Sequence, residues 1–113
     1  MADCIFCKIA AGEVPADLLH QDDLVVAFRD VHPQAPVHVL VIPRAHWAGL
    51  DQVPADQGEV LGHLLTTCRS LAARLHLAAG YRLVLNTGAD GGQSVGHLHV
   101  HLLGGRPLTW PPG

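Results

Sequence analysis

The sequence predicts a single α+β domain built on an antiparallel sheet. Three observations carry this. Short apolar strand-like runs bounded by proline, glycine or acidic turns occupy both halves of the chain. One long stretch, Pro54 to His76, repeats its apolar residues at helical spacing. The two kinds of segment do not alternate in the regular manner of a parallel sheet with crossover helices. With 113 residues the chain has room for one core and no second domain.

In chain order, Cys4-Ile5-Phe6-Cys7-Lys8-Ile9-Ala10-Ala11-Gly12 reads as a short helix or turn stopped by glycine. Its Cys-x-x-Cys spacing brings two sulfurs to one side, as a metal or redox site requires, although two cysteines are also good small core residues. Leu18–His20 and Leu24–Phe28 read as two strands joined by the acidic turn Gln21-Asp22-Asp23. The second strand is apolar on both faces and runs into Asp30, which either meets a ligand at the sheet end or caps a turn. Pro36–Pro43 is a third strand, on which His38 shares a face with Leu40 and Ile42 and suits a hydrogen-bonded supporting role.

Arg44 to Val53, with His46 and Trp47, reads as short and irregular or helical. The helix that follows presents Val60, Leu61, Leu64, Leu65, Cys68, Leu71, Ala72 and Leu75 as one broad apolar stripe, with Cys68 as inert core. Tyr81–Thr87 is a fourth strand with Asn86 at its exit. The loop Gly88–Gly96 holds four glycines in nine residues together with Gln93 and Ser94, which suits close backbone approach to a phosphate.

The fifth strand is His97-Leu98-His99-Val100-His101-Leu102-Leu103. Simple alternation puts its three histidines on one face. Two chemistries fit three imidazoles in register. In one, His99 attacks phosphorus while His101 steadies the phosphate oxygens, aided by the loop amides and Ser94. In the other, the histidines hold a metal, or the protein binds a nucleotide or metal only for regulation. No Gly-Lys-Ser/Thr phosphate loop is present. The proline-rich tail from Arg106 to Gly113 cannot form regular structure, and Trp110 within it calls for docking on a partner subunit or near a ligand.

Composition narrows the partners. The net charge is −3 with nine histidines counted neutral, and no basic patch suits a nucleic-acid polymer. Apolar residues make up 49% and charged residues 15%, which points to some surface hidden in a homodimer. The start Met1-Ala2-Asp3-Cys4 lacks the basic and apolar regions of a signal peptide, and no apolar run suffices to span a bilayer. A cytoplasmic protein with reduced Cys4, Cys7 and Cys68 is expected.

The run His97–Leu103 is similar to the His-φ-His-φ-His-φ-φ signature of the histidine triad superfamily. Phe28-Arg29-Asp30-Val31, Pro33-Gln34-Ala35-Pro36, Val41-Ile42-Pro43, Gly91-Gly92-Gln93-Ser94-Val95, and Leu103–Arg106 with Trp110-Pro111-Pro112-Gly113 resemble its nucleotide-binding (HINT) branch. The resemblance covers nearly the whole chain, 1–113. It implies a five-stranded antiparallel sheet with one long and one short helix, dimerising into a ten-stranded sheet, with the tail 103–113 at the dimer interface and active site. It implies hydrolysis of purine nucleoside 5′-phosphoramidates, such as adenosine 5′-monophosphoramidate, to AMP and an amine through a nucleotidyl-histidine intermediate.

By that resemblance His99 is the nucleophile, His101 binds phosphate oxygens, His38 orients the catalytic imidazole and Ser94 assists the leaving group. Asp30, Val31, Phe28, Asn86, Gly92, Gln93, Ser94, Val95 and Trp110, with His99 and His101, surround the nucleotide (AMP, GMP, phosphoramidates or acyl-adenylates). A central His99, where the nucleotidyltransferase branch has Gln, favours hydrolysis over transfer. The alternatives are a dinucleoside polyphosphate hydrolase and a non-catalytic nucleotide- or zinc-binding regulator. The resemblance also makes Cys4, Cys7, His46 and His97 ligands of a structural Zn2+, with no cofactor needed for catalysis.

Overall fold

A computed structural model describes residues 3–113; the reading of Met1 and Ala2 lies outside the described residues. The elements are helix α1 (Ile5–Ala10), strands β1 (Leu18–Gln21), β2 (Val25–Arg29) and β3 (Val37–Pro43), 3-10 turns at Leu50–Gln52 and Ala55–Gln57, helix α2 (Gly58–Arg74), and strands β4 (Tyr81–Val84) and β5 (Val100–Gly104). The five strands form one antiparallel sheet in the order β1-β2-β3-β5-β4. The α+β class, the five strands and the pair of helices expected from the sequence are all present.

The period of two on each strand divides the core between the two faces. Val25, Ala27, Val39, Val41, Val100 and Leu102 pack beneath α2 against Leu64, Cys68 and Leu71. Val26, Phe28, Leu40 and Ile42 point to the opposite face, where α1 lays Phe6 and Ile9 over them. His38 and His101 lie on this second face, beside Leu40 in register with His101. Helix α1 is therefore the lid of the histidine face, and α2 is scaffold.

Three boundaries differ from the sequence reading. The helix expected from Pro54 starts as a 3-10 turn and becomes α-helical only at Gly58, a tight first turn of the kind common at helix ends. The fourth strand stops at Val84, because Leu85–Thr87 leave the ladder on the way to Gly88, whose φ is +73°. The fifth strand starts at Val100 rather than His97, since the Leu98 amide bonds the Trp47 carbonyl at 2.8 Å instead of a neighbouring strand.

Side chains fasten the edges of the sheet. The Asp22 carboxylate accepts the Leu24 and Val25 amides through Oδ1, and both His20 and His63 Nε2–H groups, each at 2.7 Å, through Oδ2. The β1–β2 turn is thereby stapled to α2. These four bonds hold the Asp22 carboxyl well below the usual carboxylate range, outweighing its partial burial. Arg44 bonds the carbonyls of Asp22 and Ala10, fixing the end of α1 to the same turn.

Candidate active site

Histidine pairs across β3 and β5 define the centre of the site. The Gln34 amide donates to His38 Nδ1 at 3.0 Å, so the His38 proton resides on Nε2. His38 Nε2–H then donates to His101 Nδ1 at 2.8 Å, with Asp30 Oδ2 at 3.4 Å from the same nitrogen. His101 in turn keeps its own proton on Nε2. Burial, and then the neighbouring His99 and His38, push His101 down to about 4 despite Asp30, so at neutral pH it is an uncharged hydrogen-bond donor. Burial likewise lowers His38, with Asp30 opposing.

His99 is fixed from the other direction. Its Nδ1–H donates to the His97 carbonyl at 2.7 Å, which leaves the Nε2 lone pair free. Its ring stands edge-on to Phe6 (5.2 Å between centroids, 84° between planes) and lies 4.9 Å from the His101 ring. In the neutral imidazole the His99 lone pair thus lies beside a donor nitrogen of opposite polarity. That is the arrangement needed to attack an electrophile and hold its oxygens.

His38, His99 and His101 line a cavity of about 620 Å³ together with Phe28, Asp30, Val31, Ser94 and Val95. Phe28 is buried in its floor, whereas Val31 is 84% exposed at its mouth. Asp30 Oδ1 accepts the His32 amide at 2.9 Å, which orients the carboxylate. Ile5, Phe6, Ile9 and Val14 supply a further apolar wall. The sequence reading did not assign these to the site. Their signal in the sequence is the Ile5-Phe6-Ile9 spacing, an apolar face on the same short helix that carries Cys7.

Asn86, Gly92, Gln93 and Trp110 do not line this cavity. The Gln93 side chain is occupied in bracing its own loop: its amide nitrogen bonds the carbonyls of Ala48 and Val95, and its oxygen accepts the Gly88 amide. It supports Ser94 and Val95 from behind. Gly91 is required in this loop, since a Cβ there would lie 2.4 Å from the Thr87 carbonyl oxygen. Trp110 is 81% exposed in the single chain.

His97 parts company with the other two histidines. Because residues 97–99 are outside the ladder, its ring turns away from His101, is fully buried, and donates Nε2–H to the Pro43 carbonyl at 2.9 Å. The Nδ1 lone pair then faces Cys4 Sγ (3.3 Å), Cys7 Sγ (3.5 Å) and His46 Nδ1 (3.1 Å), and Cys7 Sγ lies 3.3 Å from His46 Nδ1. All four donor atoms lie within 4.8 Å of one another. The donor set suits zinc. Tetrahedral sites with Zn–S of about 2.3 Å and Zn–N of about 2.0–2.1 Å have edges in this range. The Pro43 carbonyl sets the tautomer such a ligand needs. Burial and the neighbouring Cys4 raise the Cys7 thiol, a penalty that a cation would relieve.

The fold and this histidine arrangement define a histidine triad protein. A family model, the HIT domain, matches residues 11–108, and the chain belongs to that family. It is 58% identical over 111 residues to an uncharacterized HIT-like protein of Synechococcus elongatus, covering 98% of this chain and 97% of that one. The crystal structure of a HIT family hydrolase from Legionella pneumophila superposes with a TM-score of 0.96 at 50% identity, covering 98% of this chain and all of the other. Two more distant structures are a histidine triad nucleotide-binding protein from Candida albicans (TM-score 0.82, 34% identity, 96% and 83% covered) and a zinc-bound histidine triad family protein from Mycobacterium smegmatis (TM-score 0.82, 30% identity, 93% and 76% covered).

Proposed function

We propose that the protein hydrolyses the P–N bond of purine nucleoside 5′-phosphoramidates. His99 Nε2 attacks the α-phosphorus, a His–P bond forms, and the P–N bond breaks as the amine leaves with a proton relayed from solvent water through the Ser94 hydroxyl, which is reprotonated as it donates. Water then attacks the nucleotidyl-histidine, returning His99 and releasing AMP or GMP. His101 Nε2–H binds the phosphate oxygens throughout, where a neutral donor held in place stabilises the developing charge without reorganisation. His38 holds His101. Asp30 takes the ribose hydroxyls, and Phe28 and Val31, with α1 behind them, enclose the base. Ser94 and Val95, which Gln93 braces from outside the cavity, border the phosphate, and Trp110 acts from the partner subunit.

The observation that carries this reading is the opposed hydrogen bonding of His99 and His101 at one cavity, where Nδ1 of His99 meets the His97 carbonyl and Nδ1 of His101 meets His38 Nε2. The nucleotide-binding relative from Candida albicans supports the ligand class. A homodimer is supported by β4 at one sheet edge and by Leu65 and Tyr81, which are 52% and 43% exposed in the single chain.

The four-ligand cluster Cys4, Cys7, His46 and His97 holds a structural Zn2+, as the zinc-bound Mycobacterium relative supports. When bound, the ion cross-links α1 to the ends of β3 and β5 and takes no part in the reaction. Among the described residues no helix is long and apolar enough to cross a membrane. We place the protein in the cytoplasm, where its three free thiols stay reduced.

Turnover of adenosine 5′-monophosphoramidate against a diadenosine polyphosphate, in wild type and His99→Asn, tests the reading. The expected result is phosphoramidate hydrolysis lost in the variant. Equal activity of both proteins sinks the mechanism, and preference for the dinucleotide moves the protein to the polyphosphate-hydrolysing alternative.

A further inference from the structure

We propose that Arg106, in the tail after β5, is a positioning residue that fixes the proton pattern of the His38–His101 pair through the backbone of Gln34. The inference deepens the reading above and rests on His101 being the phosphate-binding donor. Arg106 Nη2 donates to the Gln34 carbonyl at 2.9 Å, and the Gln34 amide donates to His38 Nδ1 at 3.0 Å. His38 Nε2–H donates to His101 Nδ1 at 2.8 Å. Three consecutive bonds therefore run from an exposed guanidinium to the imidazole that faces the phosphate.

Each link has one polarity. A backbone amide can only donate, so with Gln34 in place His38 Nδ1 must be bare and its proton must sit on Nε2. That compels His101 to accept at Nδ1 and to carry its proton on Nε2, toward the ligand. Were the Gln34 amide displaced, only the Asp30 carboxylate, 3.4 Å from Nε2, would still favour a proton there, and part of the His38 population could carry its proton on Nδ1 and accept from His101 at Nε2. His101 would then aim a lone pair at an anionic oxygen. The tautomer decides between attraction and repulsion at the phosphate.

The loop 30–36 has little else to hold Gln34. Its side chain bonds the His32 carbonyl at 3.0 Å, and the β3–β5 ladder ends at the rung Val37–Gly104, beyond the loop. Gly105 then carries the tail across the loop at φ +92°. A Cβ at this position would lie 2.8 Å from Pro36 Cβ, so only glycine lets the tail pass close enough for Arg106 to reach Gln34. The other arm of the guanidinium bonds the Pro107 carbonyl at 3.0 Å. A planar fork is suited to holding two carbonyls at once, and a lysine ammonium is not.

The test is ¹⁵N NMR of the histidine rings, together with phosphoramidate kinetics, on wild type, R106Q, R106K and W110A. In wild type His38 shows a bare Nδ1 and a protonated Nε2. R106Q is expected to give a mixture of the two His38 tautomers and to lower kcat roughly ten- to a hundredfold, with KM changed less, as misplacement of a reacting group does. R106K is expected to be intermediate and carries the test should R106Q fail to fold. W110A, which alters the tail without touching Arg106, leaves the His38 signals as in wild type. An unchanged His38 tautomer in both Arg106 variants overturns the proposal. So does a W110A protein that reproduces the R106Q spectrum, because Arg106 would then act only as a tail anchor. The ring spectra need no turnover. A tautomer that responds to R106Q in a protein inactive on phosphoramidates upholds the relay and removes the reaction assigned above.

Discussion

Truncating Phe6 tests whether α1 is part of the site. Its ring is 6% exposed and meets Phe28 at 5.4 Å, His99 at 5.2 Å and His97 at 6.0 Å, all edge-on. Phe6→Ala removes this buried ring from the smaller of the two core clusters, whose other members are Ile9, Val26, Phe28, Leu40 and Ile42. Buried Phe→Ala changes cost about 3–5 kcal/mol. Edge-on aromatic pairs contribute roughly 0.5–1.5 kcal/mol each beyond area, which favours the upper half of that range here. Against a domain stability of about 5–15 kcal/mol this is a large fraction. At about 4 °C per kcal/mol for a chain of this size, Tm should fall by roughly 16–20 °C.

Urea unfolding followed by circular dichroism checks the stability, with Phe6→Leu as the control that keeps most apolar area but removes the ring edge. Phe6→Leu should cost about 1 kcal/mol and still lower kcat, because His99 loses one of the rings that hold it edge-on. A loss below about 1 kcal/mol in Phe6→Ala, at unchanged denaturant slope, refutes the docking of α1 over the histidine face.

Two further outcomes follow from the same geometry. Protein purified without added metal should contain about one zinc per chain. Cys7→Ser or a strong chelator should remove it and lower Tm, and metal analysis beside a melting curve checks this. In the chelated wild type Cys4 and Cys7 should react with a thiol reagent while Cys68 does not, since burial pushes Cys68 up to about 11. Stability should also fall in mild acid. His101 is held at about 4 in the fold against an ordinary value near 6.5, so between those pH values the unfolded chain binds the extra proton. Its contribution, on the order of 3 kcal/mol, is complete above pH 6.5 and is lost as pH falls toward 4. Burial shifts His38 in the same direction. Asp22 adds its loss only below the ordinary carboxylate range, as its two imidazole donors and two amides lose their acceptor. Urea midpoints taken at pH 7.5, 6 and 5 should decrease in that order, and a flat profile contradicts the neutral, buried His101.

The sheet was legible because its strands alternate cleanly. Val39 and Val41 against Leu40 and Ile42 announce two buried faces, and His38 among the latter locates itself on the histidine side. The helical stripe through Leu64, Cys68 and Leu71 was equally plain. The start of β5 was not legible. Nothing local in His97-Leu98-His99 distinguishes a ladder strand from an extended segment, and the Pro43 and Trp47 carbonyls that hold it apart are about fifty residues away in sequence. The same limit hid Phe6, whose partners come from β2 and from the histidine segment. It also hid the inward turn of the Gln93 amide, which depends on Ala48. Alternation reports which face a residue takes. It does not report which distant backbone group claims a polar side chain.

The sheet order has a consequence for the birth of the molecule. Strand β5, last in the chain, lies in the interior of the sheet between β3 and β4, and pairs residues 37–41 with 100–104. His38 meets His101 across 63 positions, and Cys4 meets His97 across 93. Such remote pairings are slow to close, because chain entropy is lost before any contact is gained. During synthesis β3 keeps an open, apolar edge until Val100–Gly104 leaves the ribosome, and until then neither the histidine pair nor the Cys/His cluster exists. Insertion of this one strand seals the edge and assembles both centres together, so neither can form before the chain has been made through Gly104.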